Sequence, residues 1–171
     1  MSRKPIRAGI RPSQGESGAE ALTERLKDVF SRWATGVTVV ATRDAGDVIA
    51  TTATAFTPLS LEPALVLICL GANALVLPFL EPGARYSISI LGEDQQRAAS
   101  MAADPGPLAR TLFPPDGDPV IPDAVAVLHC TVDEVLPRGD HHIVIGAVDD
   151  AELGPEKPPL LYFQREYRRL G

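Results

Sequence analysis

The chain has 171 residues, 45% of them hydrophobic, a length and content that suit one domain closing its own core. Its net charge of −6 argues against nucleic acid or an anionic membrane as the main partner. Aromatic residues are only 5% of the chain, so the core must be built mostly from Val, Leu, Ile and Ala. No apolar run is long enough to cross a membrane. The opening stretch MSRKPIRAGIRPSQGESG carries four cations with no apolar segment behind them, so it does not read as a secretory signal. Its Pro, Gly and Ser content predicts a disordered arm over residues 1–20, with the domain occupying 21–171.

Leu22, Leu26, Val29, Phe30 and Trp33 recur at helical spacing and predict a helix over 21–33, ended by Gly36. Strands follow over 37–42 and 48–55, joined by an Asp-Ala-Gly-Asp turn as a hairpin. A Pro-bounded loop leads to the continuous apolar run 64–70, which reads as a strand buried on both faces. A short helix is expected over 75–80, a strand over 85–91 and a helix over 93–103, the last opened by two acids that suit a helix N-terminus. Residues 104–122 are rich in Pro and Gly. Loops of that length are uncommon unless they are lids, binding loops or mobile. A second hairpin spans 124–136 and 141–149, a short strand 160–163, and Arg165, Arg168 and Arg169 form a basic tail that reads as a solvated face. Many strands with hairpin connections and few helices predict an antiparallel barrel with peripheral helices. No GxGxxG follows a strand, which argues against a Rossmann site.

Cys69 and Cys130 lie in apolar strand-like runs, with neither CxxC nor zinc spacing. They read as two buried free thiols in a reducing, cytoplasmic setting. No metal site is expected. His129 beside Cys130 reads as a packing or capping residue, and His142 as a solvent-facing strand histidine. Asp140 suits a turn, and the acidic pairs 93–94, 133–134 and 149–150 read as solvated turns or helix starts.

Six segments carry a family likeness: ATGVTVV at 34–40, TATAFT at 52–57, SLEPALVLICL at 60–70, LGEDQ at 91–95, GDHHIVIG at 139–146 and PLLYF at 159–163. In this order and spacing they resemble the flavin reductase-like family. The resemblance implies a mainly β fold, an antiparallel Greek-key split β-barrel. It further implies a homodimer holding FMN or FAD in a cleft between subunits, NAD(P)H as hydride donor, and a partner monooxygenase that takes the reduced flavin. By the same resemblance Thr51, Thr52, Ala53, Thr54, Ala55 and Thr57 lie along the flavin, and His141 orders the stacked rings. Asn73, Ala74 and Ser89 stand at further cofactor positions. Hydride transfer needs no protein nucleophile; the protein supplies position and electrostatics.

Several of these positions depart from the family pattern. Thr54 stands for the usual Asn, Ala55 for Ser, Ser89 for Asn, and Pro58 for a frequent Ser. In the segment Gly71-Ala72-Asn73-Ala74-Leu75-Val76, Ala74 and Val76 replace the Ser and Thr that grip the phosphate, and no cation is present. Hydrogen bonds to a charged group are worth roughly 1.5–3 kcal/mol each. Losing two would weaken FMN binding by about two to four orders of magnitude unless Arg85, Asn73 or a tail arginine replaces them. The leading expectation is an NAD(P)H-dependent flavin reductase. The alternative is a member without flavin redox activity, whose cleft, relined by Ala55, Pro58, Ala74 and Val76, binds or cyclises a small apolar organic ligand in a biosynthetic pathway. A third reading is a flavin-binding module without turnover.

Overall fold

Helix α1 (Glu16–Phe30) leads into ten strands and a second helix: β1 (Thr35–Gly36), β2 (Thr38–Asp44), β3 (Asp47–Ala53), β4 (Phe56–Leu61), β5 (Ala64–Gly71), β6 (Arg85–Ile90), α2 (Gln96–Ala103), β7 (Ala126–Arg138), β8 (His141–Leu153), β9 (Leu161–Phe163) and β10 (Glu166–Arg168). This computed structural model describes residues 16–104 and 107–170. The arm expected over 1–20 therefore lies, for residues 1–15, outside the described residues. Residues 16–20 are helical, so the helix opens five residues earlier than its apolar spacing implied.

Seven strands pair antiparallel in the order β3-β2-β6-β7-β8-β5-β4. The two edge strands of that sheet are consecutive in the chain, joined only by Thr54 and Ala55. Two residues reach about 10 Å at most, so the sheet must curl until its edges meet. The Cys69 amide donates to the Ala55 carbonyl, extending the β4–β5 ladder into this connection. The result is the expected antiparallel barrel with peripheral helices. A second, three-stranded sheet, β1-β9-β10, lies outside it.

The barrel interior holds Val40, Val66, Ile68, Leu70, Tyr86, Ile88, Cys130, Val132 and Val144. A separate cluster, Val37, Val39, Ala41, Ala99, Phe113, Ile121 and Leu160, packs beneath α2 and the 107–124 segment. Strand β2 belongs to both clusters, since successive side chains point to opposite faces. It is thus buried on both faces, with Thr38 to Thr42 all inaccessible, as β6 is from Tyr86 to Ser89. The apolar run 64–70 does not share this property. Val66, Ile68 and Leu70 face the interior, while Leu65, Leu67 and Cys69 face outward and are only half-buried. Strand β8 repeats the pattern, with Ile143, Ile145 and Ala147 half-buried outside. The cover that would bury this outer face is not supplied by the chain's own described residues.

Other boundaries shift for physical reasons. Residues 56–61 read as a loop because of Pro58, yet they form β4; on an edge strand a missing N–H costs no ladder bond. The basic tail contains β10, paired with β9. The helix expected over 93–103 starts at Gln96. The Gln95 side chain accepts from the Gly92 amide, and Asp94 turns to Lys157 at 2.8 Å instead of heading the helix. Lys157 holds the Asp94 carboxyl below the usual carboxylate range. Only Leu77–Phe79 of the expected 75–80 helix is helical, as a 3-10 turn.

Candidate functional site

A cavity of about 980 Å³ opens where the seam between β3 and β4 meets β5, β1, β9 and the end of α1. Thr54, Ala55, Phe56 and Thr57 form one wall, continued by Leu67 and Cys69 on the outward face of β5. Phe30, Trp33, Thr35, Thr38, Ile90 and Tyr162 line the rest. That volume lies at the upper end of the usual small-molecule range, and the wall is mostly apolar with a few convergent hydroxyls. Tyr162 is itself steadied by an edge-on stack against Tyr167, with ring centroids 5.5 Å apart.

The sequence-predicted positions divide into two groups. Thr54, Ala55 and Thr57 line the cavity. Thr51, Thr52, Ala53, Asn73, Ala74, Ser89 and His141 do not stand in its wall. The Thr52 hydroxyl donates to the Ala99 carbonyl at 2.6 Å and so ties α2 to β3. Thr51 is half-buried on β3, cross-strand from Val40. Ala53 faces the barrel core, and its carbonyl accepts from Thr38 Oγ1 at 2.8 Å. The Ser89 hydroxyl is buried and accepts from the Ile121 amide at 3.0 Å. Asn73 is exposed, whereas Ala74 and Val76 pack toward the barrel interior. The phosphate-gripping positions are therefore core positions in this chain.

His141 opens β8 opposite Gly71, two residues along from the Ile143–Cys69 pair. Directly opposed residues share a face, so His141 lies on the same outer sheet face as the cavity wall, about 7 Å beyond Cys69. It is 52% exposed, and its Nδ1 lies 2.8 Å from Asp140 Oδ1. The imidazole holds the Asp140 carboxyl below the usual carboxylate range. Neighbouring His142 points to the other face, where its Nδ1 is buried without a hydrogen-bond partner among the described residues. His129 is more than a packing residue: Nδ1 meets Asp118 at 2.8 Å and Nε2 meets Glu152 at 3.0 Å. Among the described residues no three His, Cys, Asp or Glu side chains group as a metal site.

Sequence reasoning missed Trp33, Thr35, Tyr162 and Lys27 as cavity residues, and named Arg165 only as one of three tail arginines that could replace the phosphate grip. Each comes from an element whose docking is non-local, so spacing alone carried no signal. Thr35 is the most telling of them: its hydroxyl is buried and meets no hydrogen-bond partner among the described residues. An orphaned hydroxyl of this kind costs about 1–3 kcal/mol unless something answers it.

Residues 30–171 match the flavin reductase-like domain family. The chain belongs to that family. It is 42% identical over 149 residues to the reductase component of 4-hydroxyphenylacetate 3-monooxygenase from Thermus thermophilus, covering 87% of this chain and 97% of that one. It is 35% identical to the actinorhodin polyketide dimerase of Streptomyces coelicolor, with 85% of each chain covered. Among solved structures, NADH:FAD oxidoreductase SgcE6 of Streptomyces globisporus, determined with NAD and FAD fragments, superposes with a TM-score of 0.78 at 32% identity, covering 87% of this chain and 93% of that one. The flavin reductase PheA2 gives 0.76 at 34% identity, with coverage of 86% and 97%. The split barrel of this flavin reductase-like chain is thus the family's fold, and the cavity lies on the segment where the family resemblance places the ring.

Proposed function

We propose that the protein is an NAD(P)H-dependent flavin reductase that supplies reduced FMN or FAD to a partner monooxygenase. The observation that carries this reading is the 980 Å³ cavity walled by the family's Thr54–Thr57 segment. The residues fit a planar, polar-edged ring. Thr54, Thr57 and the orphaned Thr35 hydroxyl offer hydrogen bonds at its edge, while Phe56, Leu67, Ile90 and Tyr162 cover its faces and exclude water. When bound, the flavin would accept a hydride from the nicotinamide. The chain's own part is to hold two rings in stacking order. His141, paired with Asp140 and on the same sheet face as the cavity wall, is the residue assigned to set that order.

The working unit is a homodimer in this reading. The outward face of β5 and β8 is apolar and only half-buried, and Leu22, Leu26, Val29, Phe30 and Trp33 along and just beyond α1 are exposed, Trp33 by 76%. A second copy laid on this face would bury both surfaces and close the open side of the cavity. No helix of the described residues is long and apolar enough to cross a membrane. Two free thiols suit a reducing, cytoplasmic compartment.

The test is the NADH absorbance band, followed with and without added FMN, FAD or riboflavin. Flavin-dependent loss of that band is expected; its absence with both NADH and NADPH would overturn the assignment. The polyketide dimerase relative and the largely apolar wall support one second reading, a cleft that couples or cyclises an apolar molecule without flavin. That reading requires a colourless protein to which FMN gives no thermal stabilisation.

A further inference from the structure

We propose that Arg165, assisted by Lys27, is a phosphate anchor at the rim of the cavity, taking over the grip that Ala74 and Val76 do not provide. This rests on the flavin reductase reading of the site. Two charged side chains line the cavity among the described residues, and both are cations, Lys27 and Arg165. They approach from unrelated elements, the last turn of α1 and the β9–β10 turn. Each has an acidic neighbour, Asp28 at 2.8 Å from Arg165 and Glu24 at 2.7 Å from Lys27, and neither acid lines the cavity. The charged groups that reach the cavity wall are therefore cationic, each shared with an acid that stands outside it.

The backbone adds a second argument. Gln164 and Arg165 form the whole of a two-residue hairpin turn, with φ of +52° and +64°. Both fall in the left-handed region, where glycine or asparagine is the residue of choice. Arginine is a costly occupant of such a position, and outliers of this kind cluster at ligand clamps. The turn is held in place by the Gln164 amide, which donates to the Ser31 carbonyl at 2.7 Å. The guanidinium is thus carried on a fixed, strained turn to the cavity rim, where its planar fork suits a phosphate.

Phosphate reaches this site from two sources: the ester of FMN or FAD, and the pyrophosphate of the nicotinamide dinucleotide. Arg165→Gly is the decisive variant, because glycine fits the left-handed turn better than arginine and removes the guanidinium without straining the hairpin. Dissociation constants for FMN and riboflavin, and KM values for NADH and for reduced nicotinamide riboside, would be measured on both proteins. A flavin anchor weakens FMN about tenfold to a hundredfold in Arg165→Gly and leaves riboflavin within twofold. A dinucleotide anchor instead raises KM for NADH by a similar factor and leaves the riboside unchanged. Lys27→Ala should shift the same ligand in the same direction by less.

Asp28→Ala separates this role from a structural one. An anchor freed of its competing carboxylate binds phosphate as tightly or more tightly. If Arg165 only pins α1, Asp28→Ala and Arg165→Gly weaken every ligand alike, and the proposal falls. It falls equally if Arg165→Gly changes no ligand while the unaltered protein still reduces flavin. An unaltered protein that binds neither flavin nor nicotinamide would remove the parent reading together with the anchor.

Discussion

Cys130 and Cys69 both lie on barrel strands, yet they face different media. Cys130 points into the core beside the Tyr86 hydroxyl. Burial pushes its thiol up to about 11, against a smaller downward pull from Tyr86 and a further upward push from the Asp149 carboxylate. At pH 8 about a thousandth of it is thiolate, so it behaves as a small apolar residue. The Cys69 side chain is half-buried in the cavity wall. Iodoacetamide at pH 8 is therefore expected to alkylate Cys69 in the folded protein and Cys130 only after unfolding, and saturating FMN should slow the Cys69 reaction. Mass mapping of the alkylated peptides checks this. Equal labelling of both thiols, or labelling of Cys69 indifferent to flavin, would contradict the placement of the cavity. The same core shows why β8 carries Gly146: a Cβ there would sit 1.9 Å from Tyr86 Oη, so any side chain would displace the buried ring.

At the scale of elements, the Pro-rich segment after α2 is a fixed strap. Arg43 donates to the carbonyls of Gly117 at 2.6 Å and Pro114 at 2.5 Å. Asp118 meets His129 and Arg85, the Ser87 hydroxyl donates to the Pro119 carbonyl, Ser89 receives the Ile121 amide, and Gln95 donates to the Pro122 carbonyl. Side chains of β2 and β6, with Gln95 just ahead of α2, thus satisfy backbone that a long loop would otherwise leave to water. Arg43→Ala is expected to cost about 1–3 kcal/mol and to expose residues 114–117 to limited proteolysis, with little change in flavin affinity, since none of these residues lines the cavity. Cleavage rates unchanged from those of the original protein would show that the strap does not depend on this guanidinium. Little of the strap was legible in the sequence. Serine and arginine on a strand look the same whether they meet solvent or a returning loop, so Ser89 read as a cofactor residue and the segment as a candidate lid. The barrel itself was legible, because alternation and turn chemistry are local. Thr54, Ala55 and Thr57 were legible only through the family motif. The edge strand β4 was hidden by Pro58, and the cavity residues Trp33 and Tyr162 by their distance along the chain.

At the scale of the whole molecule, the homodimer reading makes the outward face of β5 and β8 the subunit interface. Leu67 and Ile145 are cross-strand neighbours on that face, both half-buried. Ile145→Glu is expected to give a folded monomer by sedimentation, with a melting temperature that no longer depends on protein concentration and flavin affinity sharply reduced, because a charge on this face blocks a second copy but disturbs no core contact. A variant that remained dimeric with normal flavin affinity would place the interface elsewhere.

Helix α1 stands clear of its own barrel, its residues 20–30 all exposed, and what fastens its end is one carbonyl, Ser31, and one ion pair, Asp28 with Arg165. In the homodimer reading a second copy covers this helix and the open side of the cavity, so the catalyst would be vulnerable to dilution. Specific rate per chain should decline as the assay is thinned, and recover when protein is added back. Catalytic capacity would then follow the square of abundance at low copy number, so that modest changes in synthesis act as a steep throttle on reducing power.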